Sequence, residues 1–413
     1  MLRGFLRKNN IQMKPKIIII IHYLEIGGAE TSLIGLLNAL DYSKVDVDLF
    51  IYKHTGELMN AIPKEVRLLP ENSTYSMVES PMKVALKQRH IGVVLARLWA
   101  HLQFVIYSWK AKPLTMDPYY YYMEKALSKV LPSLIKYGEY DLAINFLGMP
   151  CVVLDKIKAR RKVNWIHTDY SSIAVNQKNE EPRWLQFDNI ISISKEVTKT
   201  FIQIFPHTVS KIIEIENILS PLFVRRQADL DEVTAEMPDE PGVVKILTIG
   251  RFSLPKKIEG IPHICAEMER LGADFRWYVI GYGPDRKIQE ALDKYGMRHR
   301  MKLLGKKSNP YPYIKACDIY AQPSIYEGKS VTVREAQMLC KPVVITDYPT
   351  AKSQINHGVD GVIVPLDEVQ TAMGIVDFIN NSELRDKIVS HLCTHDFGNE
   401  AEVEKIYSLM DDK

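Results

Sequence analysis

The sequence predicts an α/β protein made of two doubly wound parallel-sheet domains. Short apolar runs recur along it, each ended by Gly, Pro or a polar turn, and helical stretches fill most of the gaps. Such runs suit strands buried on both faces of a parallel sheet. A length of 413 residues argues for two domains. The apolar pattern breaks around Asn217-Ile218-Leu219-Ser220-Pro221, and the stretch from there to Gly242 is acidic and poor in apolar periodicity.

In chain order, Met1 to Pro15 reads as a loose leader and Lys16 to His22 as a buried strand. The turn Glu25-Ile26-Gly27-Gly28-Ala29-Glu30 follows, then a helix carrying Leu33, Ile34, Leu36, Leu37 and Leu40. Val47 to Tyr52, Asp141 to Phe146, Val163 to His167, Asn189 to Ser194 and Lys211 to Glu216 continue the first sheet. Val243 to Ile249, Trp277 to Ile280, Lys302 to Leu304, Ile319 to Ala321, Val343 to Thr346 and Val362 to Val364 make the second. The expected organisation is an amino-terminal domain over 1–217, a connection over 218–242 and a carboxy-terminal domain over 243–392. A last helix over 393–413 is expected to pack back toward the amino-terminal domain.

Composition narrows the class. With 46% hydrophobic and 25% charged residues the chain reads as an ordinary soluble protein. A net charge of +3 gives no global attraction for nucleic acid, and none is expected as a partner. Five scattered cysteines without a Cys-x-x-Cys pair fit free thiols in a reducing cytoplasm, with no zinc or disulfide framework. No signal peptide is evident, and Ile17 to Ile21 falls far short of the about 20 residues a bilayer span needs.

The chemistry centres on Tyr326-Glu327-Gly328-Lys329-Ser330-Val331-Thr332-Val333-Arg334-Glu335. Ser330 is a candidate N-cap, and Val331 to Cys340 holds no Gly or Pro, so a helix should begin there. Glu327 then lies just before a helix N-terminus and Glu335 about two turns inside, after the strand at Ile319. A phosphate or sugar fits over such a helix start while two acids grip hydroxyls. Alone, the spacing also describes a charged turn followed by a solvated glutamate.

Arg251, Lys256 and Lys257 follow the first strand of the second sheet, where a guanidinium fork and an ammonium suit a diphosphate. Gly281-Tyr282-Gly283-Pro284 and Gly305-Lys306 end the next two strands, the edge at which such sheets bind ligands. Position 286 is Arg and not Gly, which counts against a dinucleotide fingerprint. Asp46-Val47-Asp48 alternates with apolar residues on a strand and reads as surface carboxylates rather than a metal site. His167 ends a strand beside Thr168-Asp169, which leaves it open between a core histidine and a site residue.

Together Gly250-Arg251-x4-Lys256, Gly281-x-Gly283-Pro284, Leu304-Gly305-Lys306 and Glu327-x7-Glu335 resemble the donor domain of retaining GT-B glycosyltransferases of the bacterial group 1 type. The run from Asn309 through Lys341-Pro342 to Pro365 resembles members that assemble capsule and exopolysaccharide. Gly27-Gly28-Ala29-Glu30 and Trp165 to Asp169 are similar to their amino-terminal motifs. The resemblance is dense between Val243 and Pro365 and thin between Lys53 and Glu139.

It implies two Rossmann-like domains facing a cleft and transfer of a sugar, with retention, from a nucleotide sugar to a lipid-linked saccharide. The donor would be a UDP-sugar, and neither a cofactor nor a metal would be needed. The resemblance places Arg251 and Lys256, with Lys257 as helper, on the diphosphate, and Glu335 on the ribose. Glu327 with the amides of Gly328, Lys329 and Ser330 would hold the donor sugar, and Gly27 and Gly28 would let backbone approach the phosphate. His167 would lie near the sugar. Glu327 and His167 are thus the candidate catalytic residues, and Gly283 and Lys306 complete the donor set. A sugar-nucleotide epimerase of the same fold and a non-catalytic glycan or nucleotide binder are the alternatives.

Residues 81–116 hold Lys83, Lys87, Arg89, Arg97, Lys110 and Lys112 and no acid. Ile91, Leu95, Leu98, Leu102, Ile106 and Trp109 form a helical apolar stripe among them. This helix either lies on an anionic membrane surface or packs its stripe into the amino-terminal core. The first option makes the protein cytoplasmic and peripheral on the inner face of the membrane.

Overall fold

The computed structural model describes residues 14–25, 27–112, 118–168, 170 and 173–411. The leader expected before residue 14, Ile26 of the glycine turn, residues 113–116 of the basic segment and Asp169 lie outside them. The chain divides into two units, one of residues 1–218 with 400–413 and one of residues 219–399.

In the first unit, strands β1 (Lys16–Ile21), β2 (Asp46–Ile51), β3 (Arg67–Leu68), β4 (Glu139–Leu147), β5 (Lys158–Ile166), β6 (Asn189–Ser192) and β7 (Ile212–Glu214) form a seven-stranded sheet of order β3-β2-β1-β4-β5-β6-β7. Every pair is parallel. Ile17 to Ile21 are fully buried between β2 and β4, which is why an unbroken apolar run, rather than an alternating one, makes the central strand. Helices α1 (Gly28–Ala39), α2 (Met82–Lys87), α3 (Ile91–Ala111) and α4 (Pro118–Leu127) belong to this unit. The two-residue β3 escapes a sequence reading because it has no apolar run of its own.

Asp48 corrects the reading of Asp46-Val47-Asp48 as surface carboxylates. It is buried, takes hydrogen bonds from Arg67 and Tyr140, the latter at 2.6 Å, and lies 3.2 Å from Lys16 Nζ. Two cations that are distant in sequence make that burial tolerable, because a buried carboxylate must be paired.

The second unit holds α5 (Pro221–Ala228) and a six-stranded parallel sheet of order β10-β9-β8-β11-β12-β13. Its strands are β8 (Val244–Ile249), β9 (Phe275–Ile280), β10 (Met301–Gly305), β11 (Ile319–Gln322), β12 (Val343–Thr346) and β13 (Val362–Val364). Helices α6 (Tyr311–Ala316), α7 (Val331–Met338), α8 (Glu368–Asn380) and α9 (Ser382–Thr394) complete what the site needs.

Two boundaries differ from expectation. Of the expected connection over 218–242, residues 219–242 are part of the second unit and no mere connection: Val224, Ala228, Val233 and Met237 are buried in its core beside Leu247 and Tyr278. A few apolar side chains spread over a short helix and a loop suffice, because α6 and α7 supply the rest of their surroundings. The expected helix over 393–413 is instead two. α9 ends at Thr394 in the second unit, and α10 (Val403–Ser408) packs in the first. There Tyr407 OH accepts from Asp41 N–H at 2.7 Å and Lys405 Nζ donates to the Glu214 carbonyl at 3.1 Å.

Candidate active site

β8 and β11 are neighbours, but the chain leaves β8 toward β9 and β10 and returns to β11 on the other side. That is a switch point, where two strand-end loops diverge and leave a crevice. The loops are joined directly, since Ile325 N–H donates to the Pro255 carbonyl at 2.8 Å. Across them Lys256 Nζ meets Glu327 Oε1 at 2.6 Å. Glu327 is buried, and the same Oε1 accepts from Ser324 Oγ at 2.6 Å. Gln322 Nε2 supports Ser324 Oγ at 2.9 Å, Tyr320 OH supports Gln322 Oε1 at 2.8 Å, and Thr350 Oγ1 binds the Glu327 carbonyl at 2.7 Å. Glu327 is therefore held in one rotamer by groups that are themselves held.

The two lysines part. Lys257 takes a left-handed backbone conformation with φ 50°, which turns its ammonium to Glu368 at 2.9 Å and to the Leu366 carbonyl at 3.2 Å. The structure brings Lys256, and not Lys257, to Glu327. Arg251, on the same loop, is exposed and makes no hydrogen bond or ion pair among the described residues. The loop thus presents one free guanidinium next to one paired ammonium.

α7 starts where expected, with Ser330 at the N-cap position, but its side chain makes no capping bond. Ser330 Oγ lies 3.1 Å from Thr332 Oγ1 instead. The Ser330 N–H is also engaged, donating to Gln354 Oε1 at 3.0 Å, which corrects the expectation that it is offered to a ligand. The helix ends at Met338, and Cys340 follows with φ 57°. At Gly328 nothing lies within 4 Å of where a Cβ would stand, so space remains beside Glu327. Lys329 makes contacts within the protein.

Glu335 is buried on α7, where its Oε1 accepts from Tyr311 OH at 2.8 Å. Burial pushes its carboxyl up to about 7, against the opposing pull of the Tyr311 hydroxyl. Glycine is required at Gly281, where a Cβ would stand 2.0 Å from the Gly250 carbonyl oxygen, and at Gly283, where φ is 134° and Phe252 is 3.0 Å away. These two residues let the loops after β8 and β9 close on each other. Lys306, after β10, holds its ammonium 5.5 Å from the centre of the Tyr282 ring.

The first unit repeats the topology, with its switch point between β1 and β4. Gly27 caps α1 in an extended conformation, and the Glu30 carboxylate folds back to within 2.3 Å of where its Cβ would be. Gly28 faces open space. His167 lies after β5, parallel to Trp165 with ring centres 5.8 Å apart and 4.6 Å from Phe146. The Phe146 backbone and the Asn217 side chain are its polar neighbours. Burial lowers its pKa to about 4, so it is a neutral imidazole at neutral pH.

At the same strand ends lies a cavity of about 240 Å³, lined by His22, Tyr121, Glu124, Met149, Arg183 and Trp184 among others. Arg183 Nε reaches Glu124 at 3.2 Å, and burial raises the Glu124 carboxyl while this cation opposes the rise. Sequence reasoning missed this cavity, since its walls come from the turn after β1, from α4, from the turn after β4, from Tyr170 and from residues 180–187. It also missed Gln322, Ser324, Tyr311 and Gln354. Gln322 and Ser324 were findable as polar residues ending a buried strand, whereas nothing local marks Tyr311 or Gln354.

Residues 235–391 match the family model described as Glycosyl transferases group 1, so the second unit carries a group 1 glycosyltransferase domain. The structure is similar to a glycosyltransferase from Rickettsia africae, with a TM-score of 0.65, 16% identity and coverage of 97% of this chain and 98% of that one. It is also similar to Anabaena Alr3699/HepE in complex with UDP-glucose, with a TM-score of 0.63, 17% identity and coverage of 95% and 100%. The two parallel-sheet units therefore have the GT-B fold.

Among curated relatives, the amylovoran biosynthesis glycosyltransferase AmsK of Erwinia amylovora is 25% identical over 149 residues, 34% of this chain and 37% of that protein. An N-acetylgalactosamine-N,N'-diacetylbacillosaminyl-diphospho-undecaprenol 4-alpha-N-acetylgalactosaminyltransferase of Campylobacter jejuni is 28% identical over 144 residues, 34% of this chain and 38% of that protein. The chain spans about half the length of the curated relatives it matches first.

Proposed function

We propose that this protein is a retaining glycosyltransferase of bacterial cell-surface polysaccharide assembly. It moves a hexose or N-acetylhexosamine from a UDP-sugar to a lipid-linked glycan at the cytoplasmic face of the membrane. The observation that carries the reading is the loop pair after β8 and β11. Unpaired Arg251 and Glu327-paired Lys256 stand on one side, and a fixed carboxylate at a helix start stands on the other. The group 1 match over the same residues supports it, as do the UDP-glucose held by the Anabaena protein and the diphospho-undecaprenol acceptor in the Campylobacter relative's name.

In this reading the bond from the sugar C1 to the β-phosphate oxygen breaks, with its electron pair going to the phosphate. Arg251 and Lys256 stabilise the charge that builds there. The acceptor hydroxyl oxygen bonds to C1 on the same face, and its proton leaves on the departing diphosphate. Glu327 positions the sugar and balances positive charge at C1, while Glu335 takes the ribose hydroxyls. His167, neutral and enclosed, packs the acceptor side and does not act as an acid. With two cations and helix amides on the diphosphate, no metal ion or other cofactor is needed. Lys257, tied to Glu368, acts only through the loop's shape.

The test is a panel of nucleotide sugars scored for thermal stabilisation, hydrolysis and transfer in excess chelator. A UDP-sugar that stabilises, is slowly hydrolysed and is consumed faster with a lipid-linked saccharide is the expected result. Conversion to an epimer without acceptor would establish the epimerase, and stabilisation without turnover the non-catalytic binder.

A further inference from the structure

The apolar stripe foreseen over 91–109 does not enter the core. α3 buries the opposite face, Val93, Ala96, Ala100 and Phe104, against its own unit. Phe104 and Tyr107 pack on Tyr119 and Tyr122 of α4, each pair with ring centres 5.8 Å apart. Ile91, Leu95, Leu98, Trp99, Leu102, Ile106 and Trp109 all face outward, from 48% exposed at Leu98 to 82% at Trp109. At the helical advance of 3.6 residues per turn these side chains fall within an arc of about 100°. Met82 and Leu86 of α2 are exposed beside them. A patch of this size is far beyond the scattered apolar residues of an ordinary surface.

The geometry points to α3, with α2 before it, as an interfacial helix bedded in an anionic lipid bilayer. Charge selects this occupant. Lys83, Lys87, Arg89, Lys110 and Lys112 are exposed at the two ends of the patch, and no acidic residue occurs from 81 to 112. Cations flanking an apolar face complement lipid headgroups and their acyl boundary. α3 is 21 residues long, enough by length and composition to cross a bilayer, but its packing argues for lying flat. Its inner face is occupied by protein, and Arg97, near its middle, donates to the Met77 and Ser80 carbonyls. The tryptophans at positions 99 and 109 suit the headgroup level.

Docking has a consequence for the cavity, and this half of the inference rests on the acceptor reading above. α4, on which α3 packs, supplies Tyr121 and Glu124 to the cavity wall. A bedded α3 therefore holds the cavity near the headgroups, where a lipid-linked saccharide presents its sugars.

The experiment is co-sedimentation of the full chain with vesicles of phosphatidylcholine alone or of equimolar phosphatidylcholine and phosphatidylglycerol. Binding is expected to the anionic vesicles, weakened by salt, with a blue shift of tryptophan emission. Trp165, Trp184 and Trp277 are already buried, so the shift reports Trp99 and Trp109. The double variant Leu98→Glu, Trp109→Glu alters exposed positions only, so it should fold. It should lose at least tenfold in vesicle affinity and keep donor hydrolysis.

Equal binding by wild type and variant would overturn the proposal, as would a wild type that ignores vesicles. A wild-type dimer in solution that the variant breaks, without vesicle binding, would give the face to a second copy and overturn it too. Vesicle binding in a protein that turns over no nucleotide sugar would keep the docking and reject the transferase reading. Donor turnover without vesicle binding would do the reverse.

Discussion

The strand ends of the two units share a topology and differ in how their polar atoms are satisfied. In the second unit Lys256, Glu327, Ser324, Gln322 and Tyr320 form a continuous chain of hydrogen bonds. Among its described residues no buried side-chain nitrogen or oxygen lacks a partner. In the first unit His22 Nε2, Asn145 Oδ1 and Trp165 Nε1 are buried without one among the described residues. Each such atom costs about 1–3 kcal/mol. Under the proposed function the difference is a division of labour. Groups that must stabilise developing charge are fixed in advance, because reorganising them during reaction would cost rate. Of the residues carrying unsatisfied atoms, His22 lines the cavity, and in that reading a glycan hydroxyl would bond it there.

The largest expected effect tests the fixed carboxylate. Glu327→Gln should lower turnover roughly 10²–10³-fold, the scale of losing a preorganised electrostatic group. It also frees Lys256, so UDP should bind as well as before or more tightly. Turnover numbers at saturating donor and calorimetric UDP affinities check both. Lost affinity with turnover intact would reverse the assignment of roles.

Arg251→Ala comes next. Removing a charge-assisted contact should weaken UDP by about 1.5–3 kcal/mol. Because Arg251 pairs with no described residue, little stability should go with it. An unchanged affinity in a folded variant would take Arg251 out of the site.

Glu335 sharpens the comparison through pH. Its folded pKa, about 7, lies above the ordinary carboxylate value of 4.5. The stability tied to its protonated form is thus fully present below about 4.5 and lost as pH rises through about 7. The melting temperature of Glu335→Gln should accordingly fall less than that of wild type over this window. In the proposed reading the ribose hydroxyls of UDP donate to the ionised carboxylate, so UDP should bind more tightly as pH rises through the same window. Glu335→Gln should flatten that profile, and a profile that keeps its slope would reject the ribose role.

The smallest effect belongs to the aromatic side. Tyr121→Ala should raise the KM for a lipid-linked acceptor by the roughly 0.5–1.5 kcal/mol of one aromatic contact. Donor hydrolysis should be unmoved. A change in donor KM instead would mean that the cavity is not an acceptor site.

Much of this protein is determined by local sequence. The strands over 17–21, 343–346 and 362–364, the helix start at Ser330 and the strand-end positions of Arg251, Lys256 and Glu327 follow from apolar runs and the turns that end them. Those signals are short in range, so a stretch of chain carries them whatever it later packs against. Only the tertiary structure decided which lysine faces Glu327, because a left-handed φ at Lys257 and a partner 111 positions away in Glu368 turn the second one aside. The same holds for Asp48, buried by Arg67 and Tyr140, and for the stretch 219–242, drawn into a core by helices from elsewhere. The direction of the α3 stripe was likewise undecided. Periodicity shows that a helix has two faces, but α4 occupies the small-residue face and leaves the larger apolar one outside. Which face is buried depends on shape and close packing against a partner, and no single segment carries that information.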